Sequence, residues 1–443
     1  MIKRIAYILI IVCCIIVTVG FFRYNPTVIY AKKVPASAET VVYINLREIE
    51  YNIVLSFLKH PLSQLDFKES SASKEEEKKA TLLDELEVPN SLFFYTNKQA
   101  FKDFFISSPI VVKEKIIEAL KEENFTAKNV SKTTVYSKGI ISCVLQNNSL
   151  QVLLKKHKKA QISPELLSKL NQENYFSEND LIFKQIKNSK EPVAISTLQG
   201  DFFEFVIDGS SLRVKGELSE ENNFFEPFKA TSVAGSILSV SGKLNTELIA
   251  DKLDENLKKK FKKLTTLSLD SVTNKWDGVV EGNLTSFIEK SDTIVTYEYD
   301  DDFNKVEKKD IQKTITPKVT FELQGNDLCD YLKEKEVIKR VENEDLLTLM
   351  PLFTTYSFCK GNGLKFTSEK NQKLTKDIDE NNKFYFLFNV ANYQEKDRGI
   401  YSLKNKYLDK VKTIQLLVTN NNQLDATIEL KNTSKNVFLQ MLD

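Results

Sequence analysis

Apolar residues set out a strand–helix opening twice along the chain. Val41-Val42-Tyr43-Ile44-Asn45-Leu46 is a β-rich run, and Ile49, Ile53, Val54, Phe57 and Leu58 behind it lie on one face of a 3.6-residue helix. His60-Pro61 closes that helix, because a residue before proline avoids the helical region. Ile237-Leu238-Ser239-Val240-Ser241 repeats the strand, and Leu244, Leu248, Ile249 and Leu253 repeat the helical spacing. Two hairpins also match. Phe202–Ile207, the turn Asp208-Gly209-Ser210 and alternating Leu212, Val214, Gly216 and Leu218 form one. Ile414–Val418, the turn Asn420-Asn421-Asn422 and alternating Leu424, Ala426, Ile428 and Leu430 form the other. Glu217 falls on Glu429, and with one inserted residue Asn223 falls on Asn436. The pattern predicts a divergent tandem duplication, residues 34–230 and 231–443, each of ordinary domain size.

Strands are predicted at Ser91–Asn97, Thr134–Tyr136, Ile140–Leu145, Ala194–Thr197, Trp276–Val280, Thr293–Tyr299, Val319–Leu323, Thr354–Phe358 and Phe384–Phe388. Helices are predicted at Lys113–Glu122, Ser149–His157, Pro164–Gln172, Thr246–Lys262, Asp327–Lys333 and Asn436–Leu442. Strands sit in neighbouring hairpins more often than they alternate with helices. The expected fold class is therefore α+β, two related domains of mostly antiparallel sheet backed by amphipathic helices. Lys68–Lys79 (KESSASKEEEKK) lacks apolar anchors and is expected to be a solvated loop within the first domain.

Ahead of these domains, Ile5–Phe22 is an uncharged apolar run of 18 residues, long enough to span hydrocarbon as a helix. Lys3 and Arg4 precede it, so the basic flank predicts a cytoplasmic N-terminus and an extracytoplasmic remainder. Residues 1–33 are thus read as a signal anchor and stalk, with the lipid bilayer as the partner of residues 5–22. Cleavage of a signal peptide after Thr18-Val19-Gly20 is the alternative, and it would give a secreted product.

Composition narrows the function more than it defines it. Lys+Arg 62 against Asp+Glu 61 leaves a net charge of +1, which gives no electrostatic case for nucleic acid. The 29 Phe and 16 Tyr exclude wholesale disorder. Only two histidines occur, His60 before a proline and His157 inside a lysine run, and neither has a triad partner nearby in sequence. There is no phosphate-cradling glycine loop, and Gly361-Asn362-Gly363 reads as a turn. Asp300-Asp301-Asp302 resembles half a calcium loop, but Lys305 and Ile311 stand where its glycine and glutamate belong, so a hairpin tip is expected. Lys155–Lys159 and Lys258–Lys263 read as charged helix ends, and Trp276 as a core anchor. No catalytic, cofactor-binding or metal-ligating residue is assigned, and no cofactor is implied. Beyond Cys13 and Cys14 the cysteines are Cys143, Cys329 and Cys359, expected as buried thiols; Cys329 with Cys359 is the pair if one is oxidised.

Val34-Pro35-Ala36-Ser37-Ala38-Glu39-Thr40-Val41-Val42-Tyr43-Ile44-Asn45 resembles the opening segment of uncharacterised single-pass bacterial envelope proteins, with an N-terminal anchor and a Pro–Ala stretch before a strand and helix. That resemblance implies a bacterial single-pass protein and carries over no activity. The expected function is a membrane-anchored extracytoplasmic binding or structural component of the envelope, with another envelope protein as partner. The alternatives are a carrier of an apolar ligand, suggested by the phenylalanines, and a hydrolase of envelope polymers, which would need two facing carboxylates.

Overall fold

The computed structural model describes residues 34–59, 91–97, 103–109, 113–130, 133–146, 149–155, 174–221, 224–299, 303–350, 352–371, 375–396, 408–437 and 440. The leader 5–22, the stalk, the loop 68–79, His60, His157, Asp300–Asp302 and the helix predicted at Pro164–Gln172 lie outside those residues. Among the described residues no helix is long and apolar enough to cross a membrane. The chain is α+β with mostly antiparallel sheet, and it divides into two compact units, Met1–Ser219 with Thr433–Asp443, and Glu220–Asn432. The division falls at 219/220 where the sequence places it at 230/231, and the last residues are counted with the first unit.

In the first unit β1 (Ala38–Asn45) leads into α1 (Leu46–Lys59), β2 (Ser91–Asn97) and β3 (Asp103–Pro109). Then come α2 (Lys113–Glu122), β4 (Thr126–Val130), β5 (Thr133–Lys138), β6 (Ile141–Gln146) and β7 (Ser149–Lys155). The unit closes with α3 (Leu181–Asn188), β8 (Val193–Thr197), β9 (Phe202–Asp208) and β10 (Ser211–Glu217). Every pairing is antiparallel, in the order β10-β9-β8-β1-β2-β3-β7-β6-β5-β4. One face carries Val41, Tyr43, Phe93, Tyr95 and Leu153 and is covered by Ile182, Phe183 and Ile186 of α3. The opposite face buries Tyr136, Cys143 and Leu150 under Ile116 and Leu120 of α2.

The second unit contains β11 (Thr231–Val233), β12 (Leu238–Lys243), α4 (Thr246–Lys252), α5 (Glu255–Thr265), α6 (Leu269–Lys275), β13 (Val279–Tyr299) and β14 (Lys305–Gln324). It continues with α7 (Leu328–Glu334), β15 (Ile338–Val341), β16 (Glu344–Leu347), β17 (Tyr356–Lys360) and β18 (Gly363–Thr367). It ends in β19 (Lys376–Ile378), β20 (Asn382–Asn389), α8 (Val390–Lys396), β21 (Val411–Thr419) and β22 (Gln423–Leu430). Its main sheet runs β22-β21-β20-β12-β13-β14-β18-β17-β16-β15, with β11 and β19 forming a separate two-stranded ribbon. Position for position, this is the strand order of the first unit. Leu267, Leu328, Leu332, Leu364 and Phe366 form its apolar core.

Local chemistry explains the shared opening. The Asn45 side chain accepts the Glu48 N–H at 3.2 Å, and the Asn245 side chain accepts the Leu248 N–H at 3.0 Å. In both units an asparagine at the strand end satisfies an orphan donor of the first helical turn. Small residues then let rings lie flat across the sheet. A Cβ on Gly242 would overlap the Phe384 ring, and Gly216 and Phe203 form a like pair in the first unit.

Three secondary-structure expectations change. Ser149–Lys155 is strand β7 and not a helix: Leu150 and Leu153 are both buried, on opposite faces, so the run lacks strand alternation. The helix predicted at Thr246–Lys262 is two helices, because Asp254 caps a new start with its side chain on the Leu257 N–H at 2.7 Å. Trp276 ends α6 instead of opening a strand; it is half-buried, and its indole N–H donates to the Val279 carbonyl at 2.7 Å.

Candidate functional site

Two features of the second unit stand out from a packed α+β core, a charged row on its sheet and an arm that outruns the sheet. The row follows the register. Tyr385, Ser241, Glu281, Glu322 and Lys365 lie directly opposite one another on β20, β12, β13, β14 and β18, and therefore share a face. The β11–β19 ribbon supplies their remaining partners. The Lys376 ammonium bonds Glu281 and reaches Glu322 at 3.3 Å, and Lys365 reaches Glu322 at 3.3 Å from the other side. The Thr231 hydroxyl donates to Glu281 at 3.0 Å, and its N–H donates to the Ser241 hydroxyl at 2.8 Å. Burial presses the Glu322 carboxyl upward, but Lys376 and Lys365 outweigh it and hold that carboxyl below the usual range. Burial likewise lowers Lys376, and Glu281 with Glu322 more than reverses it. One step along the strands, Ser239 donates to Asn283 at 2.8 Å, and Thr320 meets Thr367 at 3.3 Å, all four buried.

This arrangement fastens a ribbon to a sheet. The Glu322 carboxyl is held below its usual range by two ammonium groups and Glu281 is bonded to one of them, whereas a general acid needs a carboxyl held in its protonated form. A raised carboxyl does occur in the first unit. Glu191 is pushed up by burial and by Glu204, with Lys215 opposing and Glu48 adding a smaller push. Among the described residues no cluster of three or more His, Cys, Asp or Glu could hold a metal ion.

The arm is the distal part of β13 and β14. β12 pairs with β13 only from Val279 to Leu284, and β18 pairs with β14 only from Thr320 to Gln324. The two strands nevertheless stay paired with each other out to Tyr299 and Lys305. From Ser286 to Tyr299 that is about 45 Å of two-stranded ribbon at about 3.3 Å per residue. Its base is anchored by Phe287, whose ring meets Tyr393 of α8 at 5.7 Å; Phe388 holds Tyr393 from the sheet at 5.7 Å. Its outer part carries apolar side chains in the open: Ile294 and Val295 are each 42% exposed, Tyr299 69% and Ile311 70%. Direct cross-strand partners place Val295, Tyr297 and Tyr299 on one face with Ile311, and Ile294 on the other. Lys305 sits 4.0 Å over the Tyr297 ring, and Lys308 pairs with Glu298 at 2.7 Å.

The disulfide joins Cys329 of α7 to Cys359 of β17 across a Cα separation of 6.2 Å. That corrects the expectation of free thiols for this pair. Cys143 is a buried thiol, pushed up to about 12 by burial and so protonated and unreactive at neutral pH. Gly361 takes a left-handed φ of 56° in the turn from β17 to β18, as the turn reading requires. Lys258–Lys263 lies on α5 as expected, while Lys155 ends β7.

No amino-acid motif anticipated the charged row or the arm. The row had a readable signal: Ser239 and Ser241, Thr320 and Glu322, and Lys365 and Thr367 alternate with apolar residues, and Glu281 and Asn283 flank Gly282 between Val280 and Leu284. Each pair marks a polar face on a strand that is central in the sheet.

No family model matches the chain, and no curated protein matches it. Among solved structures, crystal forms I and III of TP0453 are 10% identical, with a TM-score of 0.23, covering 78% of this chain and 93% and 94% of theirs. Crystal form IV covers 76% of this chain and 92% of its own at a TM-score of 0.24, also 10% identical.

Proposed function

We propose that the protein is a membrane-tethered extracytoplasmic component of a bacterial envelope that binds or scaffolds through its surfaces. The observation that carries this reading is the Cys329–Cys359 bond. Disulfides persist in oxidising compartments and are rare in the cytosol. The apolar run Ile5–Phe22 behind Lys3 and Arg4 supplies the means of reaching such a compartment and staying at its membrane. The exposed arm of β13 and β14 supplies a working surface, and the engagement of Glu281 and Glu322 by lysine ammonium groups favours a structural over a hydrolytic role for that row. The shared strand order and the paired asparagine caps support descent of the two units from one ancestral domain by tandem duplication.

Fractionation tests the tether. The full chain is expected in the membrane pellet after a high-salt wash and an alkaline carbonate wash, and in the detergent phase on phase separation. Release by salt alone, or recovery in the soluble cell interior, would overturn the reading.

A further inference from the structure

The two edges of the arm are built differently. On β14, six of the nine residues 305–313 are charged: Lys305, Glu307, Lys308, Lys309, Asp310 and Lys313. Such an edge resists strand addition, because every incoming strand must bring its own charges against these. On β13, residues 291–297 (Ser-Asp-Thr-Ile-Val-Thr-Tyr) hold one charge, and the last five are β-formers. Along Ser291–Tyr299 this strand has β14 as its ladder partner on one side and no described strand on the other. A two-stranded ribbon of this length, with Ile294, Val295 and Tyr299 in water, is marginal by itself and gains from a third and fourth strand.

We infer that the outer edge of β13 pairs with the same edge of a second copy of this chain, antiparallel about a two-fold axis at Ile294. The sequence favours this register. An axis at a residue leaves each side chain on its own face, as strand pairing demands. Centred on Ile294, it stacks isoleucine on isoleucine and sets Thr293 against the second copy's Val295, extending the face that carries Ile311. At both ends it places the position of Lys290 opposite Glu298. Moving the axis to Val295 would put Asp292 opposite Glu298, and moving it to Thr293 would lose the Lys290–Glu298 match. The registers on either side therefore forfeit what this one provides. Such pairing is independent of the cellular location and leaves both units of each chain intact.

Crosslinking of the full-length protein in detergent tests it, in a Cys13→Ser, Cys14→Ser background so that the leader cannot crosslink. Directly opposite residues in an antiparallel pair have Cα atoms about 4.5–5.5 Å apart, within reach of a disulfide. Ile294→Cys is expected to give a covalent dimer under mild oxidation, and Ile311→Cys, as exposed but on the guarded strand, is expected to stay monomeric. Ile294→Lys, which opposes like charges on the axis, is expected to weaken the dimer at least tenfold by sedimentation while the thermal midpoint stays in place. Equal crosslinking at both positions would overturn the proposal. So would a monomeric mass with no crosslink at 294, or a crosslink there to a different protein and never to a second copy.

Discussion

The two units share a strand order and differ in what lies on one face of the sheet. In the first, Val41, Tyr95 and Leu153 occupy one cross-strand row, and apolar α3 packs on it. If Asn45 is matched with Asn245, the same row in the second unit reads Ser241, Glu281, Glu322 and Lys365. There the cover is a polar ribbon fastened through Thr231 and Lys376. The hairpins next to the central strand differ as well: β2 and β3 are 7 residues each, while β13 and β14 are 21 and 20. Topology therefore tolerates wholesale exchange of a covering layer, provided the first strand, its cap and the closing hairpin are kept. What a unit can do is set by the layer and the hairpin, not by the strand order.

The apolar cover should be the costlier to damage. Phe183 is fully buried, with ring contacts to Phe93 at 5.8 Å and Phe176 at 6.3 Å. Phe183→Ala is expected to destabilise the first unit by about 3–5 kcal/mol in chemical denaturation. Reducing Cys329–Cys359, which closes a separation of 30 residues, should cost the second unit about 3–4 kcal/mol and lower its melting alone. Both units unfolding together in either experiment would erase the distinction between them.

The polar cover should show itself through pH. Glu322 has a folded pKa below its unfolded value, so its stabilisation is present above the ordinary carboxylate range. It is lost as pH falls through the depressed value. Lys376 has a raised pKa, so its contribution holds below the ordinary lysine range and is lost as pH rises through the raised value. Lys376→Met should cost about 1–3 kcal/mol at neutral pH by leaving Glu281 poorly satisfied, and should raise the acid unfolding midpoint. An unchanged acid midpoint would mean the row is not held by this lysine. The smallest effect belongs to Glu191, whose raised carboxyl disfavours folding as pH climbs through the ordinary carboxylate range. Glu191→Gln should give a small rise in melting temperature at pH 7 that disappears at pH 4.

What could be read from the chain follows from the same contrast. Both openings and closing hairpins were legible, because the first strand of each unit is followed by apolar residues at helical spacing and the last strand of each closing hairpin alternates. β7 misled because it is buried on both faces, so no period-2 signal survives. The arm was half legible. Thr293–Tyr299 reads as a strand, but its partner Lys305–Lys313 is so rich in charge that nothing apolar announces it. Charge on that strand is the edge protection itself, so the feature that guards it also hides it. The Glu281–Lys376 pairing joins residues 95 apart, which no local pattern can report.

The oxidation state of Cys329 and Cys359 inside living cells tests the extracytoplasmic reading most directly. Cells would be quenched with acid and alkylated before lysis, and the membrane-bound protein analysed by peptide mass. The account predicts one linked Cys329–Cys359 peptide on a chain that still carries residues 5–22. Two alkylated thiols on a protein recovered from the soluble interior would contradict it.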